Sequence, residues 1–385
     1  MEILVISWNY PPRRGGIETL ISNLCGRLRQ KHRVFVVTSF AKAGRSDEED
    51  TFRAPLPGLI SFGLCALWRA SIILARNERI RVVFGGSALV TPLVLILARL
   101  FRRRAAVLTH GLDVIHRNFF YQMLCVRWLK YCDRVVANSN YTASLVKVKG
   151  VAQERLAVIP PGIDVGRFSG STDVAATKRQ WSIEDKKIIL FVGRLAKRKG
   201  IKEFIENSLV EILREIPEAV FLIAGDNPTE SLAHRDDVVG EIQPAVSRLG
   251  LDGQVRLLGA VDDDELIKLY HASDVVVLPA LDMKDDIEGF GIVALEAAAA
   301  GKPVVATRVG GIADAVENGK SGILVEPECY EDLSRTVAGL LRNFEFRTAL
   351  GLYGHCRASQ KFSWHYVIGS YEGMMADWGS QSTIR

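Results

Sequence analysis

Short unbroken runs of aliphatic and β-branched residues, bounded by Gly, Pro, Asp or Asn, recur at 3–7, 34–38, 81–84, 105–108, 135–138 and 156–159. Runs of this kind, rather than alternating ones, suit strands buried on both faces. Between them lie longer stretches with apolar residues at helical spacing: 17–30, 60–77, 91–101, 121–131 and 143–148. After Pro160-Pro161-Gly162 the periodicity breaks, and the polar stretch 169–173 reads as a linker. The alternation then resumes with strands at 188–192, 220–224, 255–258, 275–279, 304–307 and 323–325. Strands alternating with helices predict parallel sheets covered on both faces. The fold class is therefore α/β, with two doubly wound Rossmann-like domains, 1–165 and 166–362, facing a cleft. A tail, 363–385, carries a last helix at 364–378 that returns to the first domain. In such sheets ligands sit beyond the carboxyl ends of the strands.

Composition narrows the class. The chain has 385 residues, 48% of them hydrophobic and 24% charged, which is ordinary for a globular protein and excludes disorder or a collagen-like fibre. The longest apolar run, 88–98 with Leu100 and Phe101, falls short of the roughly 20 residues that span a bilayer. Met1-Glu2-Ile3-Leu4-Val5 has no basic segment and no small-residue cleavage site, so a signal peptide is not expected. Six scattered cysteines without a C-x-x-C pair fit reduced thiols. Together these predict a cytoplasmic protein. The net charge of +5 hides an imbalance: 24 Lys and Arg against 11 Asp and Glu through Val165, then 25 against 33. The basic half is expected to face something anionic. Nucleic acid is the poorer partner, for there is no zinc finger, RNP-type aromatic pattern or long basic helix.

Four segments carry candidate chemistry. In Val192-Gly193-Arg194-Leu195-Ala196-Lys197-Arg198-Lys199-Gly200 a hydrophobic strand runs into a glycine and then presents Arg194 and Lys199. Arg binds two phosphate oxygens at once and Lys acts as a point charge, so the pair suits a diphosphate; a solvated basic turn is the plainer reading. In Glu288-Gly289-Phe290-Gly291-Ile292, glycines precede a strong helix former that carries Glu296 two turns in. Free N–H groups at a helix start attract phosphate, and the two glutamates can accept hydroxyl hydrogen bonds from a sugar and a ribose. Otherwise Glu288 is an ordinary first-turn carboxylate and Glu296 a solvated helix residue. After the first strand, Trp8 to Gly16 reads W-N-Y-P-P-R-R-G-G. It lacks G-x-G-x-x-G, which disfavours NAD, and Gly15-Gly16 is either a tight turn or a second phosphate approach. His110, before Gly111 at a strand end, can bond a sugar hydroxyl or a backbone carbonyl. His32, His116, His234, His271, His355 and His365 have no such setting. Asp262-Asp263-Asp264 reads as a helix start rather than a metal-binding D-x-D.

Taken in order, these segments resemble the retaining glycosyltransferases of family 4, which have the GT-B fold. To them add Asn138-Ser139, Pro161-Gly162-Ile163-Asp164, Ala224-Gly225-Asp226, and Gly301-Lys302-Pro303-Val304 running to Gly310-Gly311. The likeness is nearest to bacterial phosphatidylinositol mannosyltransferases, through the Pro-Pro-Arg-x-Gly-Gly-Ile opening and the acidic loop 281–287. The chain departs from the family after Gly225, where it has Asp226-Asn227-Pro228 in place of Gly-Pro.

The resemblance implies transfer of a hexose, mannose favoured, from a nucleoside diphosphate sugar to a lipid-linked or saccharide acceptor. Arg194 and Lys199 would hold the diphosphate, with Gly193 and the amides of Gly289, Phe290, Gly291 and Ile292. Glu288 would hold the sugar, Glu296 the ribose, His110 the donor sugar near its reacting face, and Gly15-Gly16 would admit the β-phosphate. Neither a cofactor nor a metal is implied. Arg102-Arg103-Arg104, with Trp68, Arg69, Phe119, Phe120 and Trp128, further suggests an anionic membrane, on the inner face of the plasma membrane. Two other functions use the same architecture. A nucleotide-sugar epimerase would release a new sugar and needs an acid–base pair that the sequence does not offer. A non-catalytic nucleotide-sugar binder would release nothing.

Overall fold

The computed structural model describes residues 1–13, 15–41, 50–170, 172–227 and 237–380. Arg14, Pro228 and His234 lie outside them. The chain folds as two compact units: Met1–Gly162 together with the chain from Trp364, and Ile163–Ser363.

The first unit is built on seven parallel strands: β1 (Glu2–Ser7), β2 (Arg33–Thr38), β3 (Thr51–Arg53), β4 (Ile80–Gly85), β5 (Arg104–Thr109), β6 (Arg134–Ala137) and β7 (Leu156–Val158). Their order is β3-β2-β1-β4-β5-β6-β7, so the direction of winding reverses between β1 and β4. β3, a three-residue strand paired with β2, was not expected from the sequence; its Thr-Phe-Arg is too short to show a period. The expected helix at 121–131 divides into Phe119–Leu124 and a tight turn, Val126–Tyr131. On one sheet face the helices Leu59–Arg76 and Thr91–Leu100 and that 119–131 segment share a core through Phe62, Ala66, Leu74, Val94, Leu97, Val126 and Leu129. On the other, the helix Gly16–Leu28 packs with the last helix, Trp364–Ser380, through Leu20, Ile21 and Leu24 against Val367, Ile368 and Tyr371. Gly162 lets the chain pass the Trp364 indole, since a Cβ there would lie 2.5 Å from the ring.

The second unit holds six parallel strands: β8 (Lys187–Val192), β9 (Ala219–Ala224), β10 (Val255–Gly259), β11 (Val275–Leu278), β12 (Val304–Thr307) and β13 (Gly322–Val325). The order β10-β9-β8-β11-β12-β13 reverses between β8 and β11. The second unit begins at Ile163, and the stretch read as a linker is flanked by two helices, Val165–Phe168 and Val174–Gln180. Asp262 caps the helix Asp263–Ala272 by accepting from the Glu265 N–H at 2.8 Å, as its sequence predicts.

Candidate active site

Neighbouring strands β8 and β11 send their following loops away on opposite sides, which leaves a crevice at their carboxyl ends. After β8 the chain passes Gly193 and Arg194, makes a tight turn over Lys197–Lys199, and enters a helix at Ile201 through Gly200. The loop after β11 is tied to that turn by the Leu281 N–H donating to the Arg198 carbonyl at 2.8 Å. It then descends to Glu288 and the helix Ile292–Ala299, whose first turn no side chain caps.

The geometry around Glu288 is specific. Its Oε2 accepts from the Lys199 Nζ at 2.7 Å and from the Arg198 Nη1. Arg198 also pairs through Nε with Asp286 at 3.0 Å. The Arg198 and Glu288 side chains are only 8% and 14% exposed, so these charges are compensated within the protein rather than by water. Burial pushes the Glu288 carboxyl up, but Lys199 and Arg198 outweigh burial and hold it at about 2. Lys199 responds differently. Burial lowers it, Glu288 raises it, and Arg198 and Arg194 lower it again, so it ends below the usual lysine range. Burial weighs against both charges of the pair, but Glu288 is bonded by two cations, Lys199 and Arg198, whereas Lys199 has one carboxylate, Glu288, and feels Arg198 and Arg194 as well. Arg194 itself is exposed and makes no ion pair among the described residues.

The Glu288 loop is held from below by Gly310-Gly311. The Gly311 N–H donates to the Glu288 carbonyl at 2.8 Å. A Cβ on Gly310, which has φ +55°, would lie 2.2 Å from that oxygen, and one on Gly311 would lie 2.0 Å from the Gly289 oxygen. Phe290 is buried edge-on against Phe362. Glu296, on the following helix, is half-buried and accepts from the Tyr270 hydroxyl at 2.7 Å, so it is not a freely solvated helix residue. Burial raises its carboxyl above the ordinary range; Tyr270 and Arg167 oppose that, and Asp263 adds to it.

The remaining expected residues lie in the first unit, in the loops after β1 and β5. Gly15 precedes the helix Gly16–Leu28 that follows β1, and a Cβ on Gly16 would meet nothing within 4 Å. His110, after β5, is buried and its Nε2 donates to the Gly86 carbonyl at 2.8 Å. Asp113 fixes this corner, accepting from the His110 N–H at 2.8 Å and the Ala88 N–H at 2.9 Å. Of the other histidines, the His32 Nε2 lies 3.0 Å from Glu372, and the His355 ring bonds the Ala299 carbonyl.

The second unit thus brings Lys199, Glu288 and the helix start of Gly289, Phe290, Gly291 and Ile292 together, with Arg194 close enough to shift Lys199. Arg198, Asp286, Tyr270 and Asp113 were not singled out from the sequence. Arg198 sits inside a basic run where any of three cations could turn inward. Tyr270 lies 26 positions from the glutamate it bonds, too far for local spacing to reveal.

A family model described as Glycosyltransferase Family 4 matches residues 14–167, and one described as Glycosyl transferases group 1 matches 173–355. The chain has the GT-B fold and joins a family 4 glycosyltransferase domain to a group 1 glycosyltransferase domain. This glycosyltransferase is 27% identical over 379 residues to the GDP-mannose-dependent alpha-(1-6)-phosphatidylinositol monomannoside mannosyltransferase of Mycolicibacterium smegmatis, with 94% of the chain and 95% of the relative covered. It is 36% identical over 213 residues to the D-inositol 3-phosphate glycosyltransferase of Corynebacterium jeikeium, covering 54% of the chain and 48% of that relative. Among solved structures, its fold matches Anabaena HepE in complex with UDP-glucose at TM-score 0.77, with 20% identity and 99% and 100% of the two chains covered. Sucrose-phosphate synthase from Thermosynechococcus elongatus matches at TM-score 0.78, with 22% identity and the same coverage.

Proposed function

We propose that the protein transfers mannose from GDP-mannose, with retention of anomeric configuration, to a lipid-linked or saccharide acceptor. The observation that carries this reading is the excess of cations at the β8–β11 crevice. Arg194, Arg198 and Lys199 stand against Glu288 and Asp286, and the exposed Arg194 is the cation left over, a setting that a diphosphate completes. The donor base and sugar follow the full-length likeness to a GDP-mannose-dependent enzyme.

On this reading Arg194 and Lys199 bind the diphosphate and stabilise the charge that develops as it leaves. Backbone N–H groups at the start of the helix Ile292–Ala299 add to that field. Glu288 accepts from the hexose hydroxyls and Glu296 from the ribose, while Gly15-Gly16 and Gly193 give the phosphates close passage to backbone. His110 presents its ring near the reacting face of the sugar. Its Nε2–H donates to the Gly86 carbonyl, which leaves Nδ1 as the ring nitrogen for a sugar hydroxyl. The departing phosphate takes the acceptor's proton on the face it leaves, which retains configuration. Two cations provide the charge that a metal ion would otherwise supply, so turnover needs no divalent ion. The test is transfer from GDP-mannose in the presence of a chelator, with the product anomer read by NMR. Undiminished rate and the donor's anomeric configuration are expected; loss of activity or inversion would refute this mechanism.

The acceptor's setting is an anionic membrane. Ile60, Leu64 and Trp68 lie one turn apart on the helix Leu59–Arg76 and are 81%, 66% and 60% exposed, while its other face is packed into the core. That helix is long and apolar enough to cross a membrane by composition, which the sequence reading did not foresee, but its Phe62–Leu74 face is occupied by the sheet. The helices sharing that core add exposed Ile96, Leu100, Phe119, Phe120 and Leu124. From Ala54 to Tyr131 the chain has eleven Lys and Arg against two acids, Glu78 and Asp113. Exposed apolar side chains in a segment this rich in arginine, with Arg69 stacked over Trp68, fit the interface of an anionic bilayer, at the cytoplasmic face of the plasma membrane.

A further inference from the structure

Each of the two glutamates has one oxygen already committed. Glu288 Oε2 accepts from Lys199 and Arg198, and Glu296 Oε2 accepts from Tyr270. The Oε1 of each makes no hydrogen bond among the described residues. The residues holding them are themselves held by neighbours: the Arg198 guanidinium is forked between Asp286 and Glu288, and Tyr270 is fully buried with its ring edge-on to Phe168.

We propose that Arg198 and Tyr270 are positioning residues of the donor site, each locking one oxygen of its glutamate so that the other is presented to a ligand hydroxyl. The proposal rests on the donor reading above. A carboxylate turns about its last torsion through a broad, two-fold well, so an untethered one must be ordered when the ligand arrives. A buried donor on one oxygen removes that cost in advance and leaves the lone pairs of the other to the sugar or ribose. The arrangement also separates two cations that are adjacent in sequence. Arg198 bridges two carboxylates and stays with the protein. Lys199, with three donors on a flexible stem, keeps capacity for the diphosphate while touching Glu288. Tyr270 has a second effect: by donating to Glu296 it favours the ionised, acceptor-only form that burial and Asp263 oppose, with Arg167 the other group on its side.

Tyr270→Phe tests this cleanly, because the ring stays in the core and only the hydroxyl leaves. GDP, UDP and inorganic pyrophosphate binding is measured by calorimetry across pH for the whole protein and for the variant. The expected result is an affinity for whichever nucleoside diphosphate binds that is weaker by about tenfold or more, with pyrophosphate unaffected. The acid-side loss of affinity should begin at a higher pH than in the parent, since Glu296 then protonates more readily. Arg198→Lys, which keeps the charge but loses the fork, should raise the KM for the nucleotide sugar more than it weakens the free nucleotide. Parent-like affinity and pH profile in Tyr270→Phe would overturn the proposal, as would equal losses for pyrophosphate and nucleotide, which mark a merely structural role. A parent protein that binds neither GDP nor UDP would overturn the donor reading and this proposal with it.

Discussion

Lys199 and Glu288 are bonded to each other, yet their titrations move in ways that only the surrounding charges explain. Glu288, with a folded pKa near 2 against an ordinary value of 4.5, contributes stability that is fully present above the ordinary carboxylate range. That contribution is lost as pH falls toward 2. Glu288→Gln removes the carboxylate bonded to Lys199 and one of the two that Arg198 pairs with, so it should lower stability by about 3 kcal/mol at neutral pH. The gap should narrow as the parent is acidified, and thermal melts at a series of pH values check it; a gap that widens in acid contradicts the assigned ion pairs. Gly16 offers a different kind of test. Because a methyl there meets no protein atom, Gly16→Ala should fold and melt like the parent. If Gly16 admits a phosphate, the variant's KM for the donor should rise tenfold or more; unchanged kinetics would remove Gly16 from the site. The sequence made Glu288, Lys199 and the glycines legible as types at a strand end. It could not show that Arg198 rather than Lys197 turns inward, since that depends on Asp286 reaching it across two loops.

The strands were readable because parallel sheets bury both faces, which leaves unbroken apolar runs such as 188–192 and 220–224. β3 escaped because three residues carry no period, and the segment 119–131 because its apolar spacing survives a break at Cys125. The helix Leu59–Arg76 reads as amphipathic in sequence, but the structure shows apolar side chains on both its faces, only one of which the sheet covers. If its outer stripe meets a bilayer, replacing Ile60, Leu64 and Trp68 together by serine should abolish flotation with phosphatidylglycerol vesicles while leaving the fold intact by circular dichroism. The parent should prefer those vesicles over phosphatidylcholine, more strongly at low salt. Equal partition to both lipids, or flotation unaffected by the triple change, would contradict the assignment.

Across the whole molecule, the same device appears twice. Each sheet reverses its winding once, between β1 and β4 and between β8 and β11; Lys199 and Glu288 follow β8 and β11, Gly15-Gly16 follow β1, and His110, one strand further on after β5, bonds the Gly86 carbonyl at the end of β4. The last helix belongs to the first unit, where Trp364, Val367, Ile368, Tyr371, Met374 and Met375 are buried. At roughly 1.5–3 kcal/mol per large apolar side chain, that burial is on the order of 10 kcal/mol, enough to make the tail part of the unit's core. Charge is divided unevenly: a basic first half, and a second half that is net acidic yet concentrates Arg194, Arg198 and Lys199 at one strand end. The most direct test of that concentration is release of free sugar and nucleoside diphosphate from GDP-mannose, UDP-glucose and UDP-N-acetylglucosamine, compared between the parent, Arg194→Met and Lys199→Met. Slow hydrolysis of GDP-mannose by the parent, reduced by about ten- to a few hundredfold in either variant, is the predicted result. Variants that hydrolyse as fast as the parent, or a parent inert toward all three donors, would contradict it.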